Sequence, residues 1–143
     1  VGLEKEGGEL GAIWSLADIR HRSYPDHLRV VWEMVEPGDN VPLFRLAEVD
    51  NVQEPHPGGH DPSWGQARID LVLSDVYAYG YPLEDLLPIM LDDDPIVTRI
   101  GHFPTFSDAH LGFTIGLRQP AAVRVYELLD PVRVVVDVFY VDS

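Results

Sequence analysis

The run Val132-Arg133-Val134-Val135-Val136-Asp137-Val138-Phe139-Tyr140-Val141 is the richest in β-branched residues anywhere in the chain. Such side chains are stiff at χ1 and pack well on a pleated surface. In an extended strand Val132, Val134, Val136, Val138 and Tyr140 share one face, and Arg133, Val135, Asp137, Phe139 and Val141 share the other. The first face is apolar but for one hydroxyl, and the second is apolar but for two charges. This is the pattern of a central strand, covered on one side and partly covered on the other.

The run has an echo in Leu28-Arg29-Val30-Val31-Trp32-Glu33-Met34. With the two segments antiparallel and Val31 opposite Val135, Arg29 faces Asp137 and Glu33 faces Arg133. On the other face Leu28, Val30, Trp32 and Met34 then meet Val138, Val136, Val134 and Val132. Opposite charges paired across a ladder contribute roughly 0.2–1 kcal/mol each. The competing arrangement puts the two strands in different sheets, related by a pseudo-two-fold axis.

Further strands are expected at Ala12–Arg20, Pro42–Val49, Ala67–Val76, Ile96–Phe103, His110–Leu117 and Val123–Leu128, with a short one at Ile89–Leu91. Tyr24-Pro25-Asp26-His27 and Asp92-Asp93-Asp94-Pro95 read as turns. Gln53–Gly65, rich in Pro, Gly and His, reads as a long surface loop. Leu83–Leu87 has the spacing of one helical turn. Turn signals recur roughly every 8–15 residues and no long amphipathic helix is indicated. The expected fold is all-β: an antiparallel β-sandwich or open barrel of about eight strands, with at most one short helical turn. A chain of 143 residues is one domain by length, able to bury roughly 68–70% of its unfolded surface. Residues 1–11 read as a flexible lead-in or linker, and 12–143 as the domain.

The net charge is −14, from 24 acids against 10 bases, and Lys5 is the only lysine. Such a surface repels nucleic acid and anionic lipid at long range. The absence of cysteine removes disulfides, thiolate nucleophiles and Cys-zinc sites together. No apolar run approaches the roughly 18 residues of a membrane span. The first residue is Val1 rather than Met, so a processed form or an excerpt is expected.

Three segments together resemble the AMIN-like domain family. They are Gly112-Phe113-Thr114-Ile115-Gly116-Leu117, Val123-Arg124-Val125-Tyr126-Glu127-Leu128, and Pro131-Val132-Arg133-Val134-Val135-Val136-Asp137-Val138. Leu28–Glu33 and Leu43–Val49 are similar to that family's early strands. The resemblance covers about Trp14 to Val141, and its motifs are mostly structural. It implies a β-sandwich module of bacterial envelope proteins, extracytoplasmic, secreted or lipid-anchored. The related AMIN domain accompanies cell-wall amidases and secretins, where it directs localisation and binds peptidoglycan. The chain departs from the family pattern in Gln53–Gly65 and Tyr77–Asp94, loops where a ligand preference would sit.

Candidate chemistry is sparse. His56, His60 and Asp61 carry donors suited to a borderline divalent ion, but on a Pro/Gly loop, so a plain polar loop is the simpler reading. Asp92-Asp93-Asp94 offers carboxylates to Ca²⁺ without the ligand spacing of a calcium loop. His102 and His110 flank one turn, where a structural role is the simpler reading. Arg20, Arg118, Arg124 and Arg133 stand out in an acidic chain because guanidinium binds carboxylates bidentately, as on peptidoglycan stems. Of these, Arg133 reads better as a ladder partner of Glu33. Tyr77, Tyr79 and Tyr81 share one face if extended, a strip that can stack on sugars.

No cofactor and no catalytic motif is indicated. The expected function is a non-catalytic binding or localisation module taking peptidoglycan or an envelope protein. The alternatives are a protein-interaction domain docking through strand edges or loops, and a small hydrolase with an acidic pair or a His-metal site.

Overall fold

The structure, a computed structural model, describes residues 4–8, 14–35, 43–50, 65–74, 76–77, 87–103, 110–128 and 132–140. They form eleven strands: β1 (Glu4–Gly7), β2 (Trp14–Ser23), β3 (His27–Val35), β4 (Phe44–Asp50), β5 (Ala67–Ser74), β6 (Val76–Tyr77), β7 (Ile89–Met90), β8 (Val97–Phe103), β9 (His110–Leu117), β10 (Val123–Leu128) and β11 (Arg133–Phe139). One sheet has the order β1-β4-β5-β9-β8-β7 and the other β10-β11-β3-β2-β6. Pairing is antiparallel throughout except for the short β2–β6 contact. The two sheets do not close on each other as a barrel, so the molecule is a β-sandwich.

The strand count exceeds the eight or so that turn spacing predicts because β1 and β6 are unexpected pieces of four residues or fewer, while the short strand expected at Ile89–Leu91 is present as β7. Glu4–Gly7, read from sequence as part of a flexible lead-in, pairs with β4. The helical turn expected at Leu83–Leu87 lies outside the described residues apart from Leu87, which is buried.

The register of β3 on β11 is the one the charge pattern predicts, with Arg29 opposite Asp137, Val31 opposite Val135 and Glu33 opposite Arg133. The different-sheet alternative is thereby excluded. The even-numbered residues of both strands point into the core. Leu28, Val30, Trp32, Met34, Val132, Val134, Val136 and Val138 are all buried there. Facing them from the other sheet are Leu46, Ile69, Leu71, Ile100, Phe113 and Ile115. The Trp32 and Phe113 rings meet between the sheets at 5.7 Å.

One local departure shapes the outer face of the second sheet. Strict alternation along β2 puts Leu16 and Ile19 on opposite faces. Instead the register on β3 slips between Leu16 and Asp18, leaving Ala17 unmatched. This β-bulge inserts one residue and re-aims the rest of the strand. Leu16 and Ile19 therefore both reach the core; on the hairpin side of the bulge, Arg20 and Arg22 lie opposite Val31 and Arg29 in unbroken register from Ser23 opposite Leu28.

Candidate functional site: an arginine row on the outer sheet face

The face of the second sheet that points away from the core carries an ordered set of charges. Residues directly opposite across a sheet lie on the same face. Pairing places Arg124 opposite Asp137, Asp137 opposite Arg29, and Arg29 opposite Arg22. One row across four strands thus reads Arg124, Asp137, Arg29, Arg22. The next row reads Tyr126, Val135, Val31, Arg20. With Arg133 included, five guanidiniums share this face with the carboxylates of Asp18, Glu33 and Asp137, and the Asp26 carboxylate lies near Arg124 at its end. In a chain of net charge −14, this is a local excess of positive charge.

Asp137 is the organising group. Its side chain is wholly buried, although it lies on the outer face. Arg29 donates from Nε to Oδ1 at 2.9 Å and from Nη2 to Oδ2 at 3.2 Å. Arg124 donates from Nη2 to Oδ2 at 2.6 Å. Burial by itself would raise the Asp137 carboxyl, but the hydrogen bonds from Arg29 and Arg124 outweigh it and hold the group below the ordinary carboxylate range. The same bond raises the pKa of Arg29. One buried carboxylate therefore fixes two guanidiniums, with charge left over. Arg124 stays 55% exposed at its side chain, so part of its donor fork faces solvent.

Aromatic rings frame the row. Arg29 lies over Tyr24 at 5.0 Å and over Tyr126 at 5.8 Å. Arg124 lies over Tyr126 at 5.2 Å and Phe139 at 5.6 Å. Arg22 lies over Tyr24 at 5.3 Å. Tyr24 in turn stacks on His27, with ring centroids 4.7 Å apart. His27 donates from Nδ1 to Asp26 at 2.6 Å, which lowers the Asp26 pKa. Contacts of this kind hold a guanidinium in orientation without consuming its N–H donors. The arrangement suits bidentate recognition of carboxylates lying across the sheet.

The residues singled out in the sequence divide between this face and elsewhere. Arg20 and Arg124 are on it. Arg20 pairs with Asp18 at 3.2 Å and with Glu33 at 3.0 Å. Glu33, opposite Arg133 in the ladder, pairs its carboxylate with Arg20. Arg118 is not on the face. It donates to the carbonyl oxygens of Asp94 and Asp92 at 3.2 and 3.4 Å, bracing the turn after β7. The backbone of Tyr77 pairs with Ser15; its side chain, and Tyr79 and Tyr81 entirely, lie outside the described residues. So do His56, His60 and Asp61. Among the described residues no group of three His, Asp or Glu side chains is placed to hold a metal ion. No helix among them is long and apolar enough to cross a membrane. Asp94 serves the backbone, its Oδ1 accepting from Ile96 N at 2.9 Å and Val97 N at 2.7 Å.

Sequence reasoning missed Arg22, Tyr24, Tyr126 and Phe139. The signal available was the β3–β11 register. Extending it by one hairpin on each side places Arg124, Tyr126 and Arg22 correctly. No family model matches the chain, and no curated protein is significantly similar to it.

Proposed function

We propose that the domain is a non-catalytic binding and localisation module of the bacterial cell envelope, which takes carboxylate-bearing peptidoglycan on the arginine row. The row Arg124, Asp137, Arg29, Arg22 carries this reading. It is a fixed, net-cationic, aromatic-backed strip on a chain that is otherwise strongly acidic. Fixed guanidiniums lose little side-chain freedom on binding, so exposed donors such as those of Arg124 are favourable contacts. The acidic remainder of the surface repels polyanions, which leaves this face as the favourable place for carboxylates to dock. The AMIN-like resemblance of the strands supports an extracytoplasmic setting and peptidoglycan as the polymer.

The test is retention on purified, protein-free sacculi. Wild-type protein is expected to be retained at low ionic strength and released by salt, because the contacts are charge-based and exposed. The R22Q/R124Q variant is expected to be retained several-fold less. Equal retention of the two proteins, or no retention of wild type, overturns the proposal.

A further inference from the structure

Beside the arginine row, on the same sheet face, lies a histidine with one ring nitrogen left over. His27 opens β3 two residues before Arg29, so the two side chains share a face, and it stands opposite Phe139 in the ladder. It is only 9% exposed. Its ring stacks on Tyr24 at 4.7 Å and meets Phe139 at 5.4 Å. Nδ1 donates to Asp26 Oδ1 at 2.6 Å. Nε2 is buried and has no hydrogen-bond partner among the described residues. It lies 3.9 Å from Asp137 Oδ1, the oxygen that accepts from Arg29 Nε.

With its one proton on Nδ1, the neutral ring presents a lone pair at Nε2. That acceptor is shut off from water and sits beside a carboxylate, which is also an acceptor. A buried polar atom left without a partner is unfavourable. A second proton turns Nε2 into a charged neighbour of Asp137. The charge balance of the row then changes. The titratable and charged groups around His27 are Tyr24 and Asp26 on the hairpin, Arg29 on β3, Asp137 on β11 and Arg124 on β10, whose charge reaches Asp26. With His27 neutral, two carboxylates offset two guanidiniums. With His27 protonated, the same two carboxylates face three cations, and Arg29 and Arg124 are left less compensated.

We infer that the arginine row is proton-linked: protonation of His27 tightens the binding of an anionic ligand on the row. This regulation rests on the proposed role of the row. The sign follows from charge. Affinity is greatest below the pH at which His27 titrates and falls as pH rises through it. By reciprocity, a bound anion holds that proton more tightly.

Two measurements test this. In the first, retention on purified sacculi is compared at about pH 5.5 and about pH 7.5, either side of the ordinary histidine range, at one low ionic strength. Glutamine at position 27 keeps a donor for Asp26 but gains no proton, so H27Q records how the sacculi themselves change with pH. On going to the lower pH, wild-type retention is expected to rise about fivefold relative to H27Q, the size of effect a partly exposed charge supplies. H21Q, which replaces the exposed histidine on β2, is expected to match wild type. The second measurement needs no substitution at His27. The His27 ring signals are followed by NMR through the same pH range with and without dextran sulfate, whose charge is constant there. Saturating dextran sulfate is expected to move the His27 titration to higher pH in wild type and to leave it in place in R22Q/R124Q. Equal pH responses of wild type and a folded H27Q, a response lost in H21Q, a His27 titration that dextran sulfate does not move, or a movement that survives in R22Q/R124Q overturns this inference alone. No retention of wild type at either pH overturns the arginine-row reading, and the proton linkage with it.

Discussion

Arg29 and Asp137, 108 residues apart, are joined across β3 and β11 by two hydrogen bonds of 2.9 and 3.2 Å. Arg124 completes the group from β10 at 2.6 Å. Removing one partner of a buried pair leaves the other charges poorly compensated. Both guanidiniums retain some solvent, which moderates the loss. Asp137→Asn is therefore expected to lower the unfolding free energy by about 2 kcal/mol at neutral pH. Because the folded-state pKa of Asp137 is depressed, the unfolded chain takes up its proton first as pH falls. The stabilisation is present above the ordinary carboxylate pKa and is lost as pH falls through the folded value. Urea denaturation of wild type and D137N should differ fully above about pH 5 and converge below about pH 4. A gap that is independent of pH would contradict this account.

Arg20 and Arg29 provide a contrast between two ion pairs on one face. Arg20 and its partner Asp18 are 45% and 47% exposed at the side chain. Such pairs contribute little, so Arg20→Ala should change stability by less than about 1 kcal/mol. Arg29→Ala leaves Asp137 buried with Arg124 as its remaining guanidinium partner, and about 2–3 kcal/mol is expected. Chemical denaturation of the two variants side by side measures the difference.

Tyr140 and Asp94 link the sheets at one end of the sandwich. Tyr140→Phe removes one donor from Asp94 and should cost about 1 kcal/mol. Asp94→Ala also deprives the Ile96 and Val97 N–H groups of their acceptor, and should cost about 2–3 kcal/mol. Burial, then the bond to Asp94, raises the Tyr140 pKa in the folded protein. Its contribution is full below the unfolded tyrosine pKa of about 10 and is lost as pH rises through the folded value. Urea midpoints for wild type and Y140F should therefore draw together between about pH 9 and pH 12, at a fixed ionic strength.

Gly65 precedes β5 with φ of 104°. A Cβ at this position would meet the carbonyl oxygen and carbon of Leu117. The obstacle is backbone, not a movable side chain. Gly65→Ala is expected to cost about 2–3 kcal/mol, from left-handed strain and the displaced strand end. A melting temperature unchanged from wild type would show that the strand end moves freely.

Several features of the fold were legible because they are properties of periodicity. Val132–Val138 and Leu28–Met34 each carry an apolar set at every second position, and their charges match in only one antiparallel register. That register puts Arg29 opposite Asp137. The small strands were not legible. Val76–Tyr77 and Glu4–Gly7 are too short for any alternation to stand out from chance. Of the site, Arg20 and Arg124 were visible as cations in an acidic chain, and Arg118 looked equivalent to them. It is separated from them because it follows β9, a strand of the other sheet.

The sequence alone thus determined the all-β class and the central β3–β11 pair, because side-chain faces alternate along a strand and mismatched charges are unfavourable on a ladder. Only the tertiary structure decided which arginines stand in one row. Arg22 stands opposite Arg29 because the β2–β3 hairpin closes with Ser23 opposite Leu28, while the bulge at Ala17, which has no compositional signature, lets Leu16 join Ile19 in the core. The tertiary structure also made a cleft at one end of the sandwich. Its walls come from β2, the β7–β8 turn and Tyr140, segments that nothing local ties together. They meet because the two sheets bury one shared core, and that packing fixes how the ends of the sandwich face each other.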